Sequence, residues 1–155
     1  MASLDRTDPV FLGHLLAEHR ELFAQLTAIR GALADAAPPG CERVREIVAA
    51  IGGLRGHLAD HFRQEELGGI LEESVSRMPR LGSAAAEVLA EHPRLLSDLD
   101  AIVERFGGGD LPPCAAEWSG VREAFQRFMA RMQAHERAEN AVVQQGYNED
   151  LGLDD

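Results

Sequence analysis

The feature that most constrains this chain is a repeat of apolar positions separated by alternating steps of three and four residues. Such steps place all members of a set on one face of an α-helix, and we call each set a seam. The first two seams are Leu12, Leu15, His19, Leu22, Leu26, Ile29, Leu33 and Val44, Ile47, Ile51, Leu54, Leu58, His61, Glu65. The last two are Leu81, Ala85, Val88, His92, Leu95, Leu99, Ile102, Phe106 and Trp118, Val121, Phe125, Phe128, Met132, His135, Glu139, Val142. Four unbroken seams predict four helices packed around one core.

Breaks rich in glycine and proline separate the seams. APPG and FGGGDLPPC are two such breaks, and a longer and less decisive segment over 67–80 is predicted as the third connection. The predicted helices span roughly 9–35, 41–67, 80–106 and 115–144, and a polar acidic tail, expected to be frayed, covers 147–155. We therefore expect an all-α, up-down-up-down four-helix bundle, formed as a single domain over residues 1–155.

Charge and cysteine content narrow the classes of partner. The formal net charge is −11, and no cluster of Lys and Arg interleaves with aromatic residues, so we expect neither nucleic acid nor a membrane surface as a partner. The N-terminal residues lack the apolar run of a signal peptide, and no segment is apolar enough to span a membrane. Only Cys41 and Cys114 are present, which predicts reduced thiols and a cytoplasmic protein.

Six seam positions carry ionisable side chains where apolar ones are expected: His19, His61, Glu65, His92, His135 and Glu139. At about 1.5 Å of rise per residue, all six fall near one level of an up-down-up-down bundle. A buried carboxylate without a partner costs several kcal/mol, and two that face each other also repel. One seam histidine is usually an ordinary core residue, but six such groups at one depth favour a bound metal.

The ligand types narrow the metal. A histidine and a glutamate four residues apart stack on one helix face, as His61 with Glu65 and His135 with Glu139 do in this pattern. Imidazole and carboxylate without thiolate suit iron, manganese or zinc, and six ligands exceed the need of one tetrahedral zinc. Two metals fit better, with both glutamates bridging, two histidines on each metal, and an added oxo or hydroxo bridge. Each metal then keeps an open position suited to a small diatomic molecule or peroxide.

The ordered set of one histidine on the first and third helices and one His-x-x-x-Glu on the second and fourth resembles the hemerythrin-like (HHE cation-binding) family. The resemblance extends from about residue 9 to 145. It implies a four-helix bundle with two iron ions, a non-haem di-iron centre, which binds oxygen or related small molecules. A ferritin-like oxidase would instead need Glu-x-x-His on two helices, and the chain contains no such motif.

One departure from that family's oxygen carriers bears on function. Their third helix supplies two histidines four residues apart, whereas here His92 is followed at that spacing by Leu96. One iron would thus have one imidazole fewer, which favours a sensing or stress role in binding O2, nitric oxide or peroxide. Two alternatives remain open: a di-iron enzyme that consumes peroxide or nitric oxide, and a structural, metal-stabilised interaction bundle. Whether the protein is an enzyme is left undecided.

Three polar residues close to the predicted ligands are interpreted separately. His57 lies one turn before His61 but beside the seam, so an exposed or satisfied side chain is expected, with a role at the site as the alternative. His14 lies well around the helix from His19 and is expected to bind no metal. Glu66 is expected to face solvent or the helix edge, and a contact with the site is its alternative.

Overall fold

The computed structural model describes residues 9–107 and 111–150, with side chains over 19–107 and 111–146. Within those ranges the chain is helical and contains no strand, which confirms the predicted all-α class. The helices are α1 (Pro9–Ala32), α2 (Cys41–Gly68), α3 (Ile70–Arg77), α4 (Gly82–Arg105) and α5 (Ala115–Asp150), and a 3₁₀ turn (Pro79–Leu81) precedes α4. None of them, over the part described, has the length and apolar character needed to cross a membrane.

The four long helices close into a bundle in chain order. α1 packs against α2, α2 against α4, and α4 against α5. The ring is closed at the end of α1, where Trp118 Nε1 donates a hydrogen bond to the Asp35 carbonyl at 2.8 Å and Arg122 Nε donates to the Leu33 carbonyl at 2.8 Å. Because the start of α5 contacts the end of α1, these two helices run antiparallel, as the up-down-up-down prediction requires.

The seams point inward wherever their side chains are described. Every such seam residue is buried except His19, which is partly exposed, while Leu12 and Leu15 lie outside the described side chains. Apolar seam residues, together with Phe62, form a main core cluster that runs from the Trp118 end to Met132. A second, smaller cluster contains Leu71, Met78, Leu81, Ala85, Val88 and Val142. The ionisable seam residues of α2, α4 and α5 lie between these two clusters along the bundle axis.

The prediction of a connection over 67–80 was wrong in its secondary structure. Gly69 has φ 68°, a left-handed conformation that glycine adopts without strain, and it ends α2 and starts α3 directly. On α3, Leu71 and Ser74 are buried on one face, which packs against α5. Burial of this face against α5 stabilises a helix that the glycine content of the segment does not predict.

The same contact explains why α5 is longer than predicted. It continues to Asp150, so the first four residues of the predicted acidic tail, 147–150, are helical, and 151–155 lie outside the described residues. At Gly146 an added Cβ would lie 2.7 Å from the Cβ of Ser74, so only glycine allows this approach of α3 to α5. At Gly146, two residues beyond the predicted end of this helix, α5 is thus packed against α3.

Candidate metal centre

Each ligand predicted from the seams reaches the interior from its own helix. α1 supplies His19, α4 supplies His92, α2 supplies a pair and α5 supplies a pair. The pairs are four residues apart, so one turn of helix stacks each histidine on its glutamate: His61 with Glu65, and His135 with Glu139. The α2, α4 and α5 residues are buried, with exposed fractions between 0% and 4%. The His19 side chain is 15% exposed.

The six side chains form two overlapping groups that could each hold a metal ion. One group is His19, His61, Glu65 and Glu139, and the other is Glu65, His92, His135 and Glu139. In each group one donor atom per residue lies within 4.8 Å of the others. The structure therefore brings together all six residues that the sequence selected, and both glutamates belong to both groups.

The two oxygens of Glu65 face different groups. Oε1 lies 2.5 Å from His61 Nε2, and Oε2 lies 3.3 Å from His92 Nε2. On α5, Glu139 Oε2 lies 3.4 Å from His135 Nε2. A carboxylate with one oxygen in each group has the geometry of a bridging ligand.

Several donor atoms of this layer lack a hydrogen bond within the described part of the protein. They are buried atoms that face the centre: both carboxylate oxygens of Glu65, Oε2 of Glu139, and Nε2 of His19, His92 and His135. The close approaches between them do not have hydrogen-bond geometry. A buried polar atom left unsatisfied costs about 1–3 kcal/mol, so a cluster of them is destabilising unless something binds there. Convergent nitrogen and oxygen lone pairs are the donors that a first-row metal cation prefers.

The two shared carboxyl groups differ in acidity. Burial alone would raise the pKa of Glu65, but the adjacent His61 and His92 stabilise its charged form and lower the pKa to about 2. Burial, together with the negative charge of Glu65, raises the pKa of Glu139 to about 7, although His135 opposes the rise. Without a metal, one carboxyl group is thus ionised, while the other keeps its proton below about pH 7. A cation at this position would allow both to ionise.

Outside the centre, the Nδ1 atoms of three histidines face further carboxylates. His92 Nδ1 lies 2.9 Å from Glu66 Oε1, so Glu66 is exposed, as expected, and also makes the contact with the site that was its alternative. His19 Nδ1 lies 3.5 Å from Glu136 Oε2, and His135 Nδ1 lies 3.9 Å from Glu91 Oε2. Sequence reasoning missed Glu136 and Glu91.

Both missed residues had a signal in the sequence. Glu91 directly precedes His92, and Glu136 directly follows His135. Such neighbours are about 100° around a helix from the ligand, where they face the adjacent helix rather than the centre. Their role is visible only when the neighbouring helices are considered together.

Apolar side chains surround the polar layer. The Phe62 ring stacks on the His92 ring with centroids 3.9 Å apart and 4° between planes, and it meets the His135 ring edge-on at 5.4 Å. Leu96, at the position where the oxygen carriers have a second histidine, is partly buried and packs against the main core cluster. The α4 side of the site therefore has one imidazole and an apolar wall.

The other predicted neighbours lie outside the two groups or outside the described residues. His57 Nδ1 lies 2.7 Å from Gln25 Oε1, so its hydrogen bond is satisfied away from the centre, as the favoured interpretation expected. The side chain of His14 is among those not described. Cys41 and Cys114 form no disulfide.

Comparison with known proteins agrees with this geometry. The family model of the hemerythrin HHE cation-binding domain matches residues 10–145, which include all six residues of the two groups. No curated protein and no solved structure matches the chain significantly. The match covers most of the chain, and it rests on the same helices that bring the histidines and glutamates together. The chain belongs to the hemerythrin HHE cation-binding family.

Proposed function

We propose that this protein holds a non-haem di-iron centre and binds O2, nitric oxide or peroxide in a sensing or stress role. The observation that carries the proposal is the pair of four-residue groups that share Glu65 and Glu139. Each group offers two imidazoles and two carboxylates and no thiolate, a donor set suited to iron. With four protein donors, an iron ion would keep coordination positions free for a small ligand. The iron would supply the redox chemistry.

The residues of this chain then have separable tasks. The four histidines and two glutamates would hold the cations, the two carboxylates would offset part of their charge, and Phe62 covers the His92 side of the centre against water. Leu96 leaves the α4 side without a second imidazole, which supports a reactive or sensing centre over reversible oxygen carriage.

The first experiment is elemental analysis of protein purified under iron-replete conditions, combined with visible spectroscopy. We expect about two iron ions per chain. One zinc ion per chain without iron would contradict the di-iron proposal and leave a structural site.

Exposure of the reduced, iron-loaded protein to O2, nitric oxide or peroxide then separates the functional alternatives. A stable spectroscopic adduct supports binding and sensing, whereas repeated consumption of the small molecule supports an enzyme. A centre that reacts with none of the three is structural.

Variants test whether the two groups are the binding positions. His19→Ala and His135→Ala each remove a ligand from one group, and we expect each to retain about one metal per chain. Glu65→Ala removes a ligand from both groups and should retain less than one. His57→Ala is the matched control, because His57 lies on α2 one turn from His61 and belongs to neither group. Equal metal loss in His57→Ala and His61→Ala would contradict the assignment.

A further inference from the structure

Three carboxylates outside the two metal-binding groups follow one spatial rule. Glu66 of α2 faces His92 of α4, Glu91 of α4 faces His135 of α5, and Glu136 of α5 faces His19 of α1. Each is next in sequence to a residue of the two groups on its own helix. Each contacts a histidine of the next helix around the bundle, always in the same rotational direction.

The helix directions explain why two of these glutamates follow their neighbour and one precedes it. α2 and α5 run opposite to α4 in the bundle, and all are right-handed. A step forward on α2 or α5 therefore moves the same way along the bundle as a step back on α4. It also turns the same way around the helix axis, by about 100°. Glu66, Glu136 and Glu91 thus face the same way around the bundle, although Glu66 follows the glutamate of its pair and Glu136 follows the histidine of its pair.

We propose that Glu66, Glu91 and Glu136 are positioning residues that orient the histidines of the metal centre from outside, each acting across a helix–helix interface. The inference rests on the proposed metal-binding function. A carboxylate that accepts the Nδ1 proton of an imidazole fixes the tautomer in which Nε2 carries the lone pair. In His92, the Nε2 atom that would carry this lone pair is the one that faces Glu65 and the centre. The carboxylate also increases the electron density that the imidazole donates to a metal.

The three carboxylates are graded by burial and distance. The Glu136 side chain is 9% exposed, so water competes least for it, and it lies 3.5 Å from His19. Glu66 makes the shortest contact, 2.9 Å, but is 48% exposed. Glu91 is 34% exposed and lies 3.9 Å from His135 Nδ1, too far for a hydrogen bond in this arrangement. We therefore expect the largest effects from Glu136 and Glu66 and the smallest from Glu91. The corresponding residue on α1 is Glu18, whose side chain is not described and which is not part of the proposal.

The test is the rate at which iron-loaded protein releases metal to an excess of an iron(II) chelator. Glu→Gln keeps an acceptor oxygen at each position and removes the charge, while Glu→Leu removes both. We expect release from Glu136→Gln and Glu66→Gln to be roughly 10- to 100-fold faster than from wild type, and faster still from the leucine variants. The visible absorption of the iron centre should shift in the same order. Glu123→Gln on α5 and Glu87→Gln on α4 are the matched controls, because both glutamates are exposed and belong to neither metal-binding group.

Melting of the metal-free variants separates positioning from simple support of the fold. If Glu136→Gln folds poorly, Glu66→Gln decides the matter, because a half-exposed side chain can be replaced without disturbing the core. Release rates and spectra of Glu66→Gln and Glu136→Gln that equal those of the control variants overturn the inference while leaving the metal centre intact. A wild-type protein that binds no metal overturns the proposed function as well.

Discussion

Two neighbouring regions of the bundle interior follow the same packing rule but carry side chains of opposite chemistry. Towards the Trp118 end, seam positions carry residues such as Leu54, Leu99 and Phe125, each at most 1% exposed, and their burial stabilises the fold directly. One level further along the axis, the same seams carry histidines and glutamates, and the inner oxygens of Glu65 and Oε2 of Glu139 lack hydrogen bonds in the described structure. The first region needs only the chain itself, whereas the second is satisfied only when something binds to it. The difference separates what holds the fold from what gives it a function.

The largest effect is expected when the polar layer is made apolar like the region beside it. The double variant Glu65→Leu, Glu139→Leu should lose essentially all bound metal. Without metal it should be more stable than the metal-free wild type by about 1–4 kcal/mol, because leucine replaces two buried carboxyl groups on faces that already accept leucine. Metal analysis and thermal melting measure both effects. A double variant that melts below metal-free wild type would mean that the carboxylates are held in a satisfied polar network.

A substitution in the apolar region towards the Trp118 end should lower stability but leave metal binding unchanged. Leu99 is fully buried in α4, about 10 Å along the helix from His92. Leu99→Ala should destabilise the protein by about 2–5 kcal/mol through lost burial and the cavity that remains. Denaturant unfolding of the metal-free protein gives the magnitude, and metal content per folded chain should equal that of wild type. Loss of metal from the folded variant would show that metal binding depends on packing in the apolar region.

The pH dependence of stability should come next, because only the polar layer of the two described regions contains buried groups that titrate. The folded-state pKa of Glu139 is about 7 against an ordinary value of 4.5, so between these pH values the folded metal-free protein binds more protons than the unfolded chain. Stability of the metal-free protein should therefore fall as pH rises from 4.5 to 7, by up to about 3 kcal/mol. The raised pKa of His92 adds to this loss above pH 6.5, and the lowered pKa of Glu65 acts only between pH 4.5 and 2.

Metal should reverse that trend, since its ligands bind when deprotonated. Thermal melting from pH 5 to 8, with and without metal, tests this, and the gap between the two curves should widen as pH rises. A metal-free protein that becomes more stable over this range would contradict the assignment of Glu139 as the protonated member.

The smallest expected effect concerns the short helix α3, which lies beyond the polar layer in the second apolar cluster. Gly146→Ala places a Cβ against Ser74, including its backbone Cα at 2.9 Å, so α3 must move away from α5. Overpacking of this kind costs about 1–3 kcal/mol, partly offset by the higher helix propensity of alanine. Gly31→Ala on α1 is the control, because an added Cβ there meets nothing within 4 Å. Equal melting temperatures for both variants would show that α3 does not depend on this contact.

The long-range layout was predictable from the sequence because seam periodicity is a property of each helix alone. Every described residue of the second, third and fourth seams is buried, and the depth estimate brought His61 and His135 to the same level from separate helices. The eight residues of α3 were missed, because the sequence around Gly68 and Gly69 is typical of a loop and the segment is helical through its contact with α5. Glu91 and Glu136 were missed for a related reason, since each acts on a neighbouring helix.

The order of layers along the bundle has a consequence for what can enter. Among the described residues, apolar clusters lie on both sides of the polar layer along the axis, with Leu58 on one side and Val88 on the other. Transfer of an ion through such a region costs many kcal/mol, whereas a small uncharged molecule crosses it at little cost. O2 and nitric oxide are of the second kind, and hydroxide and superoxide are of the first. Along the bundle axis, the two apolar clusters therefore favour the passage of small uncharged molecules over that of ions.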